Sequence, residues 1–334
     1  MDNTLSSISI KEYVESKYDI KCQEIIKVKG SYMIKSDGKS YCLKVNEYTY
    51  EHTLFIVSAI IHLRKNNFFS VPEIIKDKED RYFGVIDKKC VYLTKWLKAR
   101  ESNFSNPVEL EYISEKLSEL HLKSRNFNIS SDMSPRIYWF RWEQNFNDRK
   151  NEISNFLERI DEKAQKNKFD KLYLKYAGKE IERAENSIKG LKENFYVKAM
   201  EKEVFKRGFC HHDFAHHNIL IDKDSNINII DFDYCILDTH LHDLCSLLIR
   251  TMKNGKWCSN IADLIITSYS KNLAIEDYEV PIMREFMRFP QSFWQIGLQV
   301  YWEMQPWGED FFYQKLIKYL EDCDERENFI DGYF

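Results

Sequence analysis

Glycine and proline are scarce in this chain, at 10 and 6 of 334 residues. That excludes collagen-like repeats and long flexible linkers, and no low-complexity tract or fixed-period repeat is present. No two of the eight cysteines form a CxxC pair, and several lie in apolar runs, as Cys42 does between Tyr41 and Leu43. That speaks against a disulfide framework, and reduced, mostly buried thiols are expected. No stretch of about 18 apolar residues exists to cross a membrane. The first residues, MDNTLSSISIKEYVESKYDIK, lack a basic start followed by an apolar run, so no secretory signal is read and a cytoplasmic protein is expected. Nor is there an excess of one charge. Lys plus Arg total 49 against 53 for Asp plus Glu, a formal net of −4, which gives no basic footprint for nucleic acid.

What is present is enough apolar residue, 43% hydrophobic with 15% aromatic, to build a large core. Gln23 to Lys29, Ser31 to Lys35 and Ser40 to Val45 alternate as three strands, and Asp37-Gly38 marks a hairpin between the second and third. Helical spacing of Leu54, Ile56, Val57, Ile60, Ile61 and Leu63 follows, and Val71-Pro72 stops it. Residues 73–77, 81–87 and 90–94 read as further strands. Beyond Trp96 the texture turns helical: an amphipathic stretch at 107–125 opening on Pro107, then 139–200 and 259–325. The reading is α+β: these six runs are taken to build a five-stranded antiparallel sheet with one helix over 1–95, followed by a mostly helical part over 96–334.

One segment of that second part breaks the helical pattern. His211-His212-Asp213-Phe214-Ala215-His216-His217-Asn218 leads into a strand at 219–221, a turn at 222–225, a strand at 227–230, and Asp231-Phe232-Asp233. A hairpin of that size sets Asn218 and Asp231 at neighbouring strand ends, where both can face one metal ion. Phosphoryl transfer from ATP needs a carboxylate for the acceptor hydroxyl, hard oxygen ligands for Mg2+ and a lysine for the phosphates. His-x-Asp-x-x-x-x-Asn followed by Asp231 supplies the first two.

That spacing resembles the catalytic and metal loops of the protein-kinase-like superfamily, and its aminoglycoside and choline kinase branch in particular. The resemblance implies a bilobal kinase-like fold that binds ATP and Mg2+. Asp213 is then the catalytic base, His211 supports the loop, and Asn218 and Asp231 hold the metal. His212 stands where that branch usually carries Gly. Lys44, on the third strand, is the implied nucleotide lysine, and Glu51 in the next helix its ion-pair partner, with Glu47 second. No glycine-rich loop exists; the turn at Gly30 and Ser31 is left either to offer backbone N–H groups to phosphate or to be a plain turn. Leu93-Thr94-Lys95-Trp96-Leu97 resembles the linker at which adenine bonds backbone, which assigns Thr94 and Trp96 to the nucleotide. Asp233 is left open between a second metal contact and a solvated residue.

With His242-Asp243-Leu244 and Phe289-Pro290-Gln291-Ser292-Phe293-Trp294, these segments closely resemble CotS-type spore coat proteins over about Ile26 to Tyr319. That resemblance implies the mother-cell cytoplasm and then the spore coat, a small-molecule acceptor, and other coat proteins as partners, with no nucleic acid and no membrane. Asp243 reads as structural. The late aromatics Phe289, Phe293, Trp294, Tyr301, Trp302 and Trp307 read first as core; in this branch late helices line the acceptor pocket, which would let Trp302, Glu303 and Trp307 face a cationic acceptor.

Two rivals stand against a kinase. One is a structural coat protein that keeps the fold without catalysis. The other is an HD-type metallohydrolase, with His211, His212, Asp213, His216 and His217 joining His240, His242 and Asp243 on a transition metal. HD proteins are all-helical, and the strands at 219–221 and 227–230 oppose that reading.

Overall fold

The alternation near the N-terminus folds into a sheet whose two faces differ in kind. In the computed structural model, which describes residues 5–334, β1 (Glu24–Val28), β2 (Ser31–Ser36) and β3 (Lys39–Asn46) form an antiparallel meander. Asp37 and Gly38 connect the paired residues Ser36 and Lys39 with φ of +43° and +75°. Such a turn matches the twist of its flanking strands, and Asp-Gly tolerates the left-handed backbone it demands. β4 (Ile74–Ile75), β5 (Gly84–Ile86) and β6 (Lys89–Lys95) complete a six-stranded sheet in the order β1-β2-β3-β6-β4, with β5 also paired to β6.

The expected sheet had five strands and one helix. The structure has six strands and two helices, α1 (Ser7–Lys17) and α2 (Tyr50–Lys65). α1 escaped the sequence reading because it buries only Ile10 and Val14, one turn apart, while Ile8 is exposed. Those two residues pack with Tyr18, Ile34, Leu43, Val91 and Leu93 in the core on one face of the sheet. Strand residues alternate between faces. The paired Leu43 and Leu93 enter that core, so the paired Lys44 and Tyr92, with Cys42 and Thr94, point to the other side.

A second sheet joins β7 (Ala99–Glu101), β8 (Ile219–Asp222) and β9 (Ile227–Ile229), all antiparallel. β7 is three residues long and carries no alternation, so only pairing with β8 defines it. Both sheets, α1 and α2 fall in one compact unit made of residues up to Phe104, Lys116–Arg136 and Arg207–Leu237.

The other unit comprises Ser105–Glu115, Ile137–Lys206 and Asp238–Phe334. α3 (Pro107–Ser124) starts there; the unit's remaining helices are α4 (Trp142–Asp161), α5 (Lys168–Glu193), α6 (Tyr196–Lys206), α7 (Leu241–Met252), α8 (Ser259–Ser270), α9 (Val280–Arg288), α10 (Gln291–Tyr301) and α11 (Glu309–Tyr333). Asn167 and Asp170 close a capping box at the start of α5, satisfying backbone N–H groups that the helix leaves open. Tyr173 stacks on Phe293 with centroids 4.1 Å apart. Gly297 permits this approach, because a Cβ there would lie 2.4 Å from the Tyr173 hydroxyl and 2.6 Å from the Phe156 ring. Phe289, Phe293 and Tyr301 are core residues, but Trp302 and Trp307 are 40% and 59% exposed. Among the described residues no helix is long and apolar enough to cross a membrane.

Candidate active site

The central contact joins residues 187 positions apart. Lys44 Nζ lies 2.9 Å from Asp231 Oδ1 and 2.9 Å from Asp233 Oδ2. Pairing of β3 with β6 turns the Lys44 side chain away from the hydrophobic core, and the chain leaving β9 brings the two aspartates to it. Burial works against the ammonium charge, but Asp233 and Asp231 outweigh it and raise the Lys44 pKa. The carboxylates diverge. Burial, then the Asp231 charge, pushes Asp233 up to about 6. For Asp231 burial also acts upward, yet Lys44 overcomes it and holds this carboxyl below its ordinary value. One ammonium thus faces two acids that ionise unequally.

The hairpin does what its length implied. Ile230 N–H donates to the Asn218 carbonyl at 2.9 Å, which ties the start of β8 to the residue before Asp231. Asn218 Nδ2 donates to Asp213 Oδ2 at 2.9 Å and to the Asp213 carbonyl at 3.0 Å. His211 is buried, and its Nε2 donates to the Ile230 carbonyl at 2.9 Å, since a carbonyl can only accept. One histidine therefore braces the base of the Asp231 loop while one asparagine aims Asp213. Two residues here have left-handed backbone, His212 at φ +70° and Asp231 at φ +66°. His and Asp are among the side chains that tolerate this region. Glycine would adopt the His212 conformation without a Cβ penalty.

The donor set fits a magnesium ion. Asp231 and Asp233 offer hard carboxylate oxygens, and Asp233 Oδ1 is buried with no hydrogen-bond donor among the described residues. The amide nitrogen of Asn218 is engaged by Asp213, leaving its carbonyl oxygen as the end available to a cation.

Other expected residues fall differently. Ser31, Cys42, Lys44 and Thr94 share one face of the sheet, since Ser31 pairs with Lys44 and Cys42 with Thr94. Glu51 does not pair with Lys44. It is exposed at the first turn of α2, where its own backbone N–H and the Thr49 hydroxyl lower its pKa. Open N–H groups at a helix start attract a carboxylate, and that local attraction wins. Glu47 is engaged with Lys89 at 2.9 Å. Gly30 is exposed, in a two-residue turn between the paired Val28 and Ser31, with no atom within 4 Å of where its Cβ would lie. The Trp96 amide donates to the Ser40 carbonyl at 2.9 Å, so it is not available to adenine.

The histidines disperse rather than gather. His211 is on the Ile230 carbonyl, His242 Nδ1 lies 2.7 Å from Asp238, and His240 lies between Glu203 and Glu279. His216 and His217 are partly exposed, 3.9 Å from Glu101 and Asp213 respectively. A single metal centre of the HD kind does not fit this arrangement. Asp233, which the sequence leaves open, proves to be a direct partner of Lys44.

The family described as "Spore coat putative kinase YutH" matches residues 11–333. Spore coat protein S of Bacillus subtilis (strain 168) is 18% identical over 300 residues, covering 89% of this chain and 85% of that protein. An aminoglycoside phosphotransferase from Alicyclobacillus acidocaldarius superposes with a TM-score of 0.85 at 20% identity, over 99% of this chain and 96% of that one. A spectinomycin phosphotransferase in complex with ADP and spectinomycin superposes with a TM-score of 0.68 at 15% identity, over 96% and 95%. The fold is that of the small-molecule kinases.

Proposed function

The chain belongs to the spore coat YutH kinase family, and from that premise we propose that it is an ATP-dependent phosphotransferase of the spore coat. The γ-phosphate of ATP would pass to a hydroxyl of a small-molecule acceptor. The observation that carries this reading is the convergence of Lys44 with Asp231, 187 positions apart in the chain. A lysine on a sheet face and an acid at a hairpin end are each ordinary; their meeting on one side of a nucleotide-sized sheet is what phosphate chemistry requires.

Residues 1–95 serve as the nucleotide part, with Lys44 on the phosphates and Ser31 and Thr94 on the same face. Residues 96–334 carry the catalytic loops. Asn218 and Asp231 hold magnesium, with Asp233 beside them. Magnesium, when bound, supplies positive charge against the transferring phosphate. Asp213 receives and orients the acceptor hydroxyl, and Asn218 fixes its direction. Membership of a spore coat family supports residence in the coat, which the chain would reach from the mother cell.

A second reading, a coat component without catalysis, is favoured by one observation: the Lys44 ammonium occupies Asp231, the residue assigned to metal. Titration calorimetry with ATP and Mg2+ separates the two. The kinase reading expects Mg2+-dependent binding that weakens in Lys44→Ala, and Asp213→Ala that binds nucleotide but transfers nothing. No heat at millimolar nucleotide overturns it in favour of the coat component.

A further inference from the structure

Arg136 lies outside every motif of the sequence. Its guanidinium carbon is 4.7 Å from the Tyr48 ring centroid and 5.5 Å from that of Tyr234. Tyr48 is in the segment between β3, which carries Lys44, and α2; Tyr234 directly follows Asp233. The backbone around Arg136 is tied down from both sides. Its carbonyl accepts the Leu237 N–H at 2.9 Å, and the Ser134 carbonyl meets His52 Nδ1 at 2.8 Å. Elsewhere in the chain, Arg81 and Arg288 are paired with carboxylates. Arg136 pairs with none among the described residues, and it is only partly buried.

We infer that Arg136, held between Tyr48 and Tyr234, is a second phosphate-binding cation of this site and engages the terminal phosphate of the bound nucleotide. The inference rests on the kinase reading above. A planar guanidinium between two aromatic rings is fixed in orientation while its N–H edges remain available for two parallel bonds to a phosphate. The Tyr234 phenol feels Tyr48 first, then burial, then the charges of Asp231 and Asp213, with Arg136 acting oppositely. Tyr234 therefore lies within electrostatic reach of Arg136 and of both acids assigned to chemistry. There is also a need for it. The β1–β2 connection is two residues long, too short to wrap phosphates with backbone N–H groups, which leaves Lys44 as the one other protein cation assigned to several negative charges.

The test compares ATP with ADP, each with Mg2+, by titration calorimetry on the full chain, with a thermal melt of every variant. The expected result is that Arg136→Ala weakens ATP by about 10- to 100-fold, as loss of a charge-assisted bond pair implies, while ADP changes by less than about 3-fold. Arg136→Gln, which keeps most of the side-chain volume, carries the same test if the alanine variant melts early. Lys223→Ala, which removes an exposed lysine of the same unit, leaves both affinities unchanged. Equal ATP affinity in wild type and Arg136 variants overturns the inference alone, as does an equal loss for ATP and ADP. Wild-type protein that binds neither nucleotide overturns the kinase reading and this inference with it.

Discussion

Each of the two units holds a cluster of one cationic side chain between two carboxylates, and the two clusters are built to opposite ends. In the unit with the sheets, Lys44 meets Asp231 and Asp233 at 2.9 Å each, with side chains 15%, 34% and 16% exposed. In the helical unit, His240 lies 3.5 Å from Glu203 and 3.6 Å from Glu279, and none of the three side chains is more than 7% exposed. The first cluster pairs unequal acids on a left-handed backbone, with one carboxylate oxygen lacking a donor. In the second, burial opposes ionisation, yet Glu203 is held down at about 2 by His240, and His240 is raised to about 8 by Glu203 and Glu279. Under the kinase reading, the first cluster would trade its cation for a metal and phosphates, and it is the one nearer water. The second joins α6, the start of α7 and the residue before α9, and it is shut away from water.

The sharpest break in that comparison comes from exchanging the consequences of mutation. Asp231→Ala should abolish Mg2+-dependent nucleotide binding and any phosphoryl transfer, with a small change in melting temperature. His240→Ala should leave nucleotide binding intact and cost about 3–5 kcal/mol of stability, because it strands two buried carboxylates without their cation. Denaturant titration and calorimetry on both variants check the pair. Large stability loss in the first, or lost binding in the second, would merge the two clusters into one role.

Acidity gives a smaller effect, of the same sign in both clusters but in different pH windows. The raised pKa of His240 means that its stabilisation is complete below about pH 6.5, the unfolded value, and drains as pH rises through about 8. Asp233 is also raised, to about 6, so its protonated form stabilises the fold below about pH 3.9 and that contribution is lost as pH rises through 6. Melting curves should fall between pH 6.5 and 8.5 in wild type and flatten there in His240→Gln. Asp233→Asn should flatten the window from pH 4 to 6 instead. A wild-type profile indifferent to either substitution contradicts the assigned ionisation.

The smallest expected effect concerns backbone. His212→Gly should change stability by less than about 1 kcal/mol and preserve nucleotide binding, since glycine adopts φ +70° freely and loses only some chain entropy. His212→Val, whose branched side chain resists that conformation, should destabilise by about 1–3 kcal/mol. Urea midpoints decide it.

Legibility followed the range of the forces involved. The β1–β2–β3 meander, α2 and the 219–230 hairpin could be read because alternation, helical spacing and Asp-Gly act within a few residues. The joint placement of Asn218 and Asp231 was legible for the same reason: one short hairpin sets it. α1 was missed because it buries two residues, too few for a periodic signal, and β7 because its partner lies more than a hundred positions away. Glu51 was misassigned as the Lys44 partner because a pattern of kinases outweighed what the helix start does locally to a carboxylate. Glu203, His240 and Glu279 carry no spacing that links them, and Arg136 no motif at all.

By itself, the sequence determined which chemistry was available: acids, an amide and a lysine in an order suited to phosphate and magnesium. It also determined the local elements that carry them, since hydrogen bonds and apolar periodicity over a turn or a hairpin need no distant partner. Only the tertiary structure decided that Lys44 meets Asp231 and Asp233, that Asp233 rather than Asp231 is the acid pushed up in pKa, and that Arg136 stands between Tyr48 and Tyr234. Those outcomes depend on burial and on charges a few ångströms apart in space but, for Lys44 and Asp231, 187 residues apart in chain, and Coulomb forces and desolvation respond to distance in space and not to distance in sequence.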